Sequence, residues 1–162
     1  MGSSFWLALL IVVVTATLMV AVSLRWLRLH IYLEQFTLHH WFSWTGTLFI
    51  AFFTPAYSFL KRRYATRMRT WLKLHVFGNL LSVMLISIHF AQHISRPPQA
   101  YPDLGTGVAL YAAMITLVAT GFLMRFGSPP GLGKGIRFVH TGITLSFYLI
   151  IGVHILHGLN II

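Results

Sequence analysis

Five runs of mostly apolar residues, at 4–24, 41–60, 71–94, 105–126 and 136–159, divide the chain. Each is close to the roughly 20 residues that a helix needs to cross a hydrocarbon layer. Apolar residues make up 57% of the 162 residues and charged residues only 9%, whereas about a quarter of a soluble domain is charged. Lipid is therefore the expected solvent. The runs predict an all-α integral membrane protein of about five transmembrane helices. It reads as a single membrane domain over 1–162, with an N-terminal helix and interfacial segment at 1–40 and a four-helix bundle at 41–160.

The first run lacks the positive n-region of a secretory leader and exceeds the usual apolar length of about 7–15 residues, so it is read as a helix. Residues 25–40 alternate basic and apolar side chains, which suits an interfacial helix or an extension of the first span. Five crossings place Lys61, Arg62, Arg63, Arg67, Arg69, Lys73, Arg125, Lys134 and Arg137 on one side, and Arg25, Arg28 and Arg96 on the other. Cytoplasmic loops are rich in Lys and Arg. This puts the N-terminus in the cytoplasm and the C-terminus outside the cell membrane. The same loop clustering explains the net charge of +10 without nucleic acid. The chain has no cysteine, which excludes disulfides, thiolate metal sites and iron–sulfur clusters. Its two carboxylates, Glu34 and Asp103, fall between the apolar runs, so a carboxylate proton relay within the membrane is not expected.

Histidine is costly in lipid and calls for a partner or a ligand. His75 and His89 lie 14 residues apart, and so do His140 and His154. Fourteen residues of α-helix turn through about 1400°, about 40° short of four turns, and rise about 21 Å. Each pair thus shares one face of its helix, near opposite ends of a span. One span separates the two helices, so they run parallel. His75 then stands level with His140 near the inside, and His89 with His154 near the outside. Two imidazoles at each of two depths suit two six-coordinate haem irons, here two haem b. Zinc prefers three or four ligands at one depth.

Gly78 and Ser82 follow His75 on its side, Gly142 and Thr144 follow His140, and Gly152 and Gly158 flank His154. Small residues would admit a porphyrin, but ordinary packing of membrane helices explains them equally well. Arg69, Lys73 and Arg137 could serve the propionates of an inner haem and Arg96 those of an outer one, or all four could be plain loop charge. His93 and His157 are possible substitutes at the outer site. With His30, His39 and His40 they could also form an outward-facing cluster that binds a metal ion, stabilises an anion or passes protons, or that is simply wetted at the interface.

The spacing His75-x13-His89, with His93 four residues on, the spacing His140-x13-His154 and the segment HHWFSWTGTLFIAFFTPAYSFLKRR together resemble the ferric reductase-like transmembrane domain. That domain is shared by NADPH oxidases, ferric-chelate reductases and bacterial haem-bearing relatives, and the likeness covers about 41–159. The paired spacing is also similar to respiratory cytochrome b. Ferric reductases and NADPH oxidases usually continue into a flavin-binding barrel and a nicotinamide domain, and no such segment follows within these 162 residues. Gly131, Gly133 and Gly135 lie in a short loop with no strand before it, unlike a dinucleotide fingerprint. The resemblance therefore implies a dihaem electron-transfer subunit rather than a complete enzyme. Its redox partner would be a flavoprotein, a cytochrome or another oxidoreductase subunit. A quinone-reacting anchor subunit is the alternative within the haem class, and a haem-free metal transporter or assembly protein the alternative outside it.

Overall fold

The computed structural model describes residues 2–27, 29, 31–34, 36–96, 105–158 and 161. Five long helices account for most of them: α1 (Ser3–Ser23), α2 (Leu38–Arg63), α3 (Met68–Ile94), α4 (Gly105–Phe126) and α5 (Gly133–Gly158). Four helical segments, Ser3–Ser23, Ala65–Ile94, Gly105–Phe126 and Gly133–Gly158, are long and apolar enough to cross a membrane. The fifth expected span, 41–60, is a helix of ample length, but α2 is not among the four. Its sequence carries His39, His40, Thr45, Thr47, Thr54 and Ser58 and ends in Lys61, Arg62 and Arg63. Those three cations suit the negative end of the helix dipole. Large apolar side chains such as Trp6, Phe52, Phe59, Phe138 and Leu149 are exposed. Apolar surface this extensive is expected to meet lipid or a partner rather than water.

The chain divides into two compact units, Met1–Tyr101 and Pro102–Ile162. In the first, α3 packs against both α1 and α2. The buried residues of α1 are Ala8, Thr15 and Val22, seven apart, which keeps them on one stripe of the helix. Val22 joins Ile88 and Ala91 of α3 in a small core. Thr15, inside this apolar helix, donates its hydroxyl to the Ile11 carbonyl at 2.7 Å, so it buries no unpaired polar group. The α2–α3 interface is tighter still. A Cβ at Gly46 would lie 2.8 Å from the Ser82 carbonyl oxygen and 3.1 Å from Ile86, so the backbones approach as closely as glycine permits.

The described residues between α1 and α2 depart from expectation, forming neither an interfacial helix nor an extension of α1. Arg25 takes a left-handed conformation, φ 60°, which ends helical propagation. Its guanidinium reaches the Ser95 carbonyl at 2.7 Å, tying the end of α1 to the end of α3. A two-stranded antiparallel hairpin follows, β1 (Tyr32–Leu33) and β2 (Phe36–Thr37). Glu34, also left-handed at φ 57°, makes its turn. In the second unit α4 and α5 pack together.

Gly46→Ala tests the close approach of α2 and α3. Alanine favours helix over glycine, yet overpacking here is expected to cost about 1–3 kcal/mol and to lower the unfolding temperature in detergent. Gly142→Ala, where a Cβ would meet nothing among the described residues, should leave it unchanged or raise it.

Candidate functional site

The second unit holds two of the expected ligands. Thr120 of α4 donates its hydroxyl to the Thr116 carbonyl at 2.7 Å. Its oxygen stands 2.8 Å from Nδ1 of His140. With the hydroxyl proton directed to that carbonyl, the oxygen is placed to accept from Nδ1–H of His140, whose ring also meets the Leu117 carbonyl. That tautomer would leave the lone pair on Nε2. Metal-bound histidines use the same device, in which a partner at one ring nitrogen fixes the tautomer at the other. Near the other end of α5, the Thr106 hydroxyl lies 3.1 Å from Nδ1 of His154.

The two contacts repeat with one register. Thr106-Gly107 and Thr120-Gly121 lie 14 residues apart on α4, as do His140 and His154 on α5, so each histidine meets one Thr-Gly step. A Cβ at Gly121 would come within 3.3 Å of the His140 ring, and one at Gly107 within 3.5 Å of His154. Lys134 and Arg137, six and three residues before His140, line an open groove with Ser128 and Thr141.

In the first unit His75 stacks on Tyr57 of α2, with centroids 4.3 Å apart and planes 15° apart. The Asn79 amide lies 3.2 Å from its Nδ1 and receives the Thr54 hydroxyl at 3.4 Å on its carbonyl oxygen. In this arrangement Asn79 donates to Nδ1, and the His75 proton sits on Nε2. Offering Nε2 to a metal requires the amide to turn over and accept from Nδ1–H. The space beside Gly78, expected to admit a porphyrin, is filled by Phe49, whose ring would lie 2.2 Å from an added Cβ. Gly78 and Ser82 serve the packing of α2 on α3.

The closest grouping of ligands lies at the other end of this helix pair. His39 and His40 from the start of α2 meet His89 and His93 from the end of α3, each offering a ligand atom within 4.8 Å of the others. His39 is buried and the other three are half-buried. Antiparallel packing of α2 on α3 brings the two ends together. His89 and His93, four apart, share one helix face. The Thr37 hydroxyl stands 2.8 Å from Nδ1 of His39 and 2.6 Å from Nδ1 of His40, and can donate to one ring and accept from the other. His40 precedes the apolar stretch of α2.

Sequence reasoning placed His39, His40 and His93 in one cluster but assigned His89 to another role. His157 occupies the last turn of α5 in the second unit, and His30 lies outside the described residues. The expected pairs His75–His140 and His89–His154 each take one histidine from either unit. The threonine partners were missed, although their 14-residue spacing was visible. Comparisons with protein-family models, curated proteins and solved structures found no match to this chain.

Thr120→Val keeps the side-chain shape and removes the acceptor. Nitrogen-15 NMR of histidine-labelled protein is expected to show Nδ1–H for His140 in the parent and in Thr120→Ser. In Thr120→Val the proton should redistribute toward Nε2. An unchanged His140 in the valine variant would contradict the assigned role.

Proposed function

We propose that the chain is a dihaem b-type cytochrome that carries electrons across a membrane as a subunit of a larger redox system. The observation that carries the proposal is the common 14-residue register of α5 and α4, in which each histidine of α5 is met at Nδ1 by a threonine. A repeated hydroxyl partner at one ring nitrogen suits an imidazole that would give the lone pair of its other nitrogen to iron. An unliganded histidine in lipid needs its own donor and acceptor satisfied, and no second copy four turns away.

On this proposal His75 and His140 hold the inner iron, and His89 and His154 the outer one. Haem bound at both levels would supply one-electron carriers within a layer too thick for one group to bridge, with axial imidazoles leaving no open coordination position. The chain's residues set the conditions. Thr120, and with it Thr106, orients the α5 imidazoles. The Asn79 amide, turned to present its carbonyl, does the same for His75. Arg137, about one turn before His140, and Lys134, nearly two turns before it, supply cations that would neutralise anionic propionates. The α2 helix is taken as the fifth crossing: its 26 residues rise about 39 Å at about 1.5 Å each, more than the roughly 30 Å of hydrocarbon. With five crossings the N-terminus is cytoplasmic and the start of α2 faces outside.

The redox partner is a flavoprotein, a cytochrome or another oxidoreductase subunit. Reduction of the purified protein by quinol would identify it instead as a quinone-reacting anchor. Pyridine haemochrome analysis of purified protein should give two haems per chain in the parent and in His93→Ala. One haem per chain is expected in His75→Ala and in His89→Ala. A folded, haem-supplied preparation that binds none would overturn the proposal.

A further inference from the structure

We infer that the end of the α2–α3 pair is a non-haem metal site, in which His39, His40 and His93 bind a divalent transition-metal ion of the zinc type. His89 completes the set wherever it is not engaged by another metal. The inference rests on the grouping of these side chains in the first unit and stands whether or not the chain carries haem. If His89 holds a haem iron, three imidazoles remain with one open position.

The donor set selects the ion. All four donors are neutral nitrogens, which suit zinc, copper or nickel and not calcium or magnesium, whose sites are built from oxygen. Among the described residues no carboxylate joins the cluster. Zinc takes imidazole nitrogen at about 2.0–2.1 Å in a tetrahedral array, which puts neighbouring donors about 3.4 Å apart. The ligand atoms already lie within 4.8 Å of one another, near that spacing. The ring centroids are already close: 4.3 Å for His39 and His40, 4.4 Å for His89 and His93, and 5.4–6.1 Å between the two helices.

The local frame holds the rings for this purpose. Adjacent helical residues point about 100° apart, yet His39 and His40 both turn toward α3, with the Thr37 hydroxyl bonded to each. The hairpin β1–β2 ends at Thr37 and so fixes that hydroxyl. Two ligands come from each end of an antiparallel helix pair, so a bound ion would cross-link the open end of α2 and α3, opposite the turn at Tyr64.

The test is zinc binding by the purified protein in detergent. It is stripped with a chelator, dialysed against zinc at graded free concentrations, and assayed for zinc and for haem in the same sample. One zinc per chain is expected in the parent and in His157→Ala. Affinity should fall at least about 100-fold in His40→Gln and in His93→Gln, and about 10- to 100-fold in Thr37→Val, as for the loss of a ligand's supporting partner. Circular dichroism of each variant confirms that the helices persist. A folded parent that binds no zinc, or undiminished binding in the His40→Gln/His93→Gln double variant, would overturn the inference. The haem content read in parallel keeps either result separate from the dihaem proposal.

Discussion

Within an apolar layer a polar side chain can bond only to protein, and this requirement organises the chain at every level. A buried donor or acceptor left unpaired costs about 1–3 kcal/mol. The helices meet the demand locally. Thr15, Thr17, Thr45, Thr116, Thr141 and Thr144 each donate to the carbonyl four residues back. Thr120 does the same and then has an oxygen lone pair to give. His140 uses it. A habit that merely hides a hydroxyl in a helix thus also supplies a partner to a histidine ring nitrogen.

The helices were legible because lipid leaves few alternatives to a long apolar run. The fourth expected span, 105–126, coincides with α4, and the others begin and end within three residues of the observed helices. Segment 25–40 was misread because its alternating basic and apolar residues fit an amphipathic helix as well as they fit a hairpin. The deciding facts are tertiary: the Arg25 guanidinium on the Ser95 carbonyl and the left-handed backbone at Arg25 and Glu34. Gly78 shows the same limit. A glycine beside a histidine announces space but not its occupant, and here the occupant is Phe49.

The site was legible in its periodicity and obscure in its pairing. Spacing alone put His75 with His89, and His140 with His154, on common helix faces. It could not show that α4 answers α5 with threonines at the same interval, because the match appears only when the helices are run antiparallel. Nor did it join His89 to His39, His40 and His93. A helical hairpin about the turn at Tyr64 would have suggested that union, since the two histidine groups stand at about equal distances from it in sequence. His89 therefore belongs both to the 14-residue spacing on α3 and to the imidazole cluster.

Electron transfer across the membrane requires two carriers that titrate one electron each. The most direct measurement is a potentiometric titration of the purified chain, followed in the visible region. A dihaem chain gives a reduced b-type spectrum that develops in two one-electron steps of similar amplitude. A single step would leave only one depth occupied, and a colourless protein with all five helices folded would contradict the electron-transfer assignment outright.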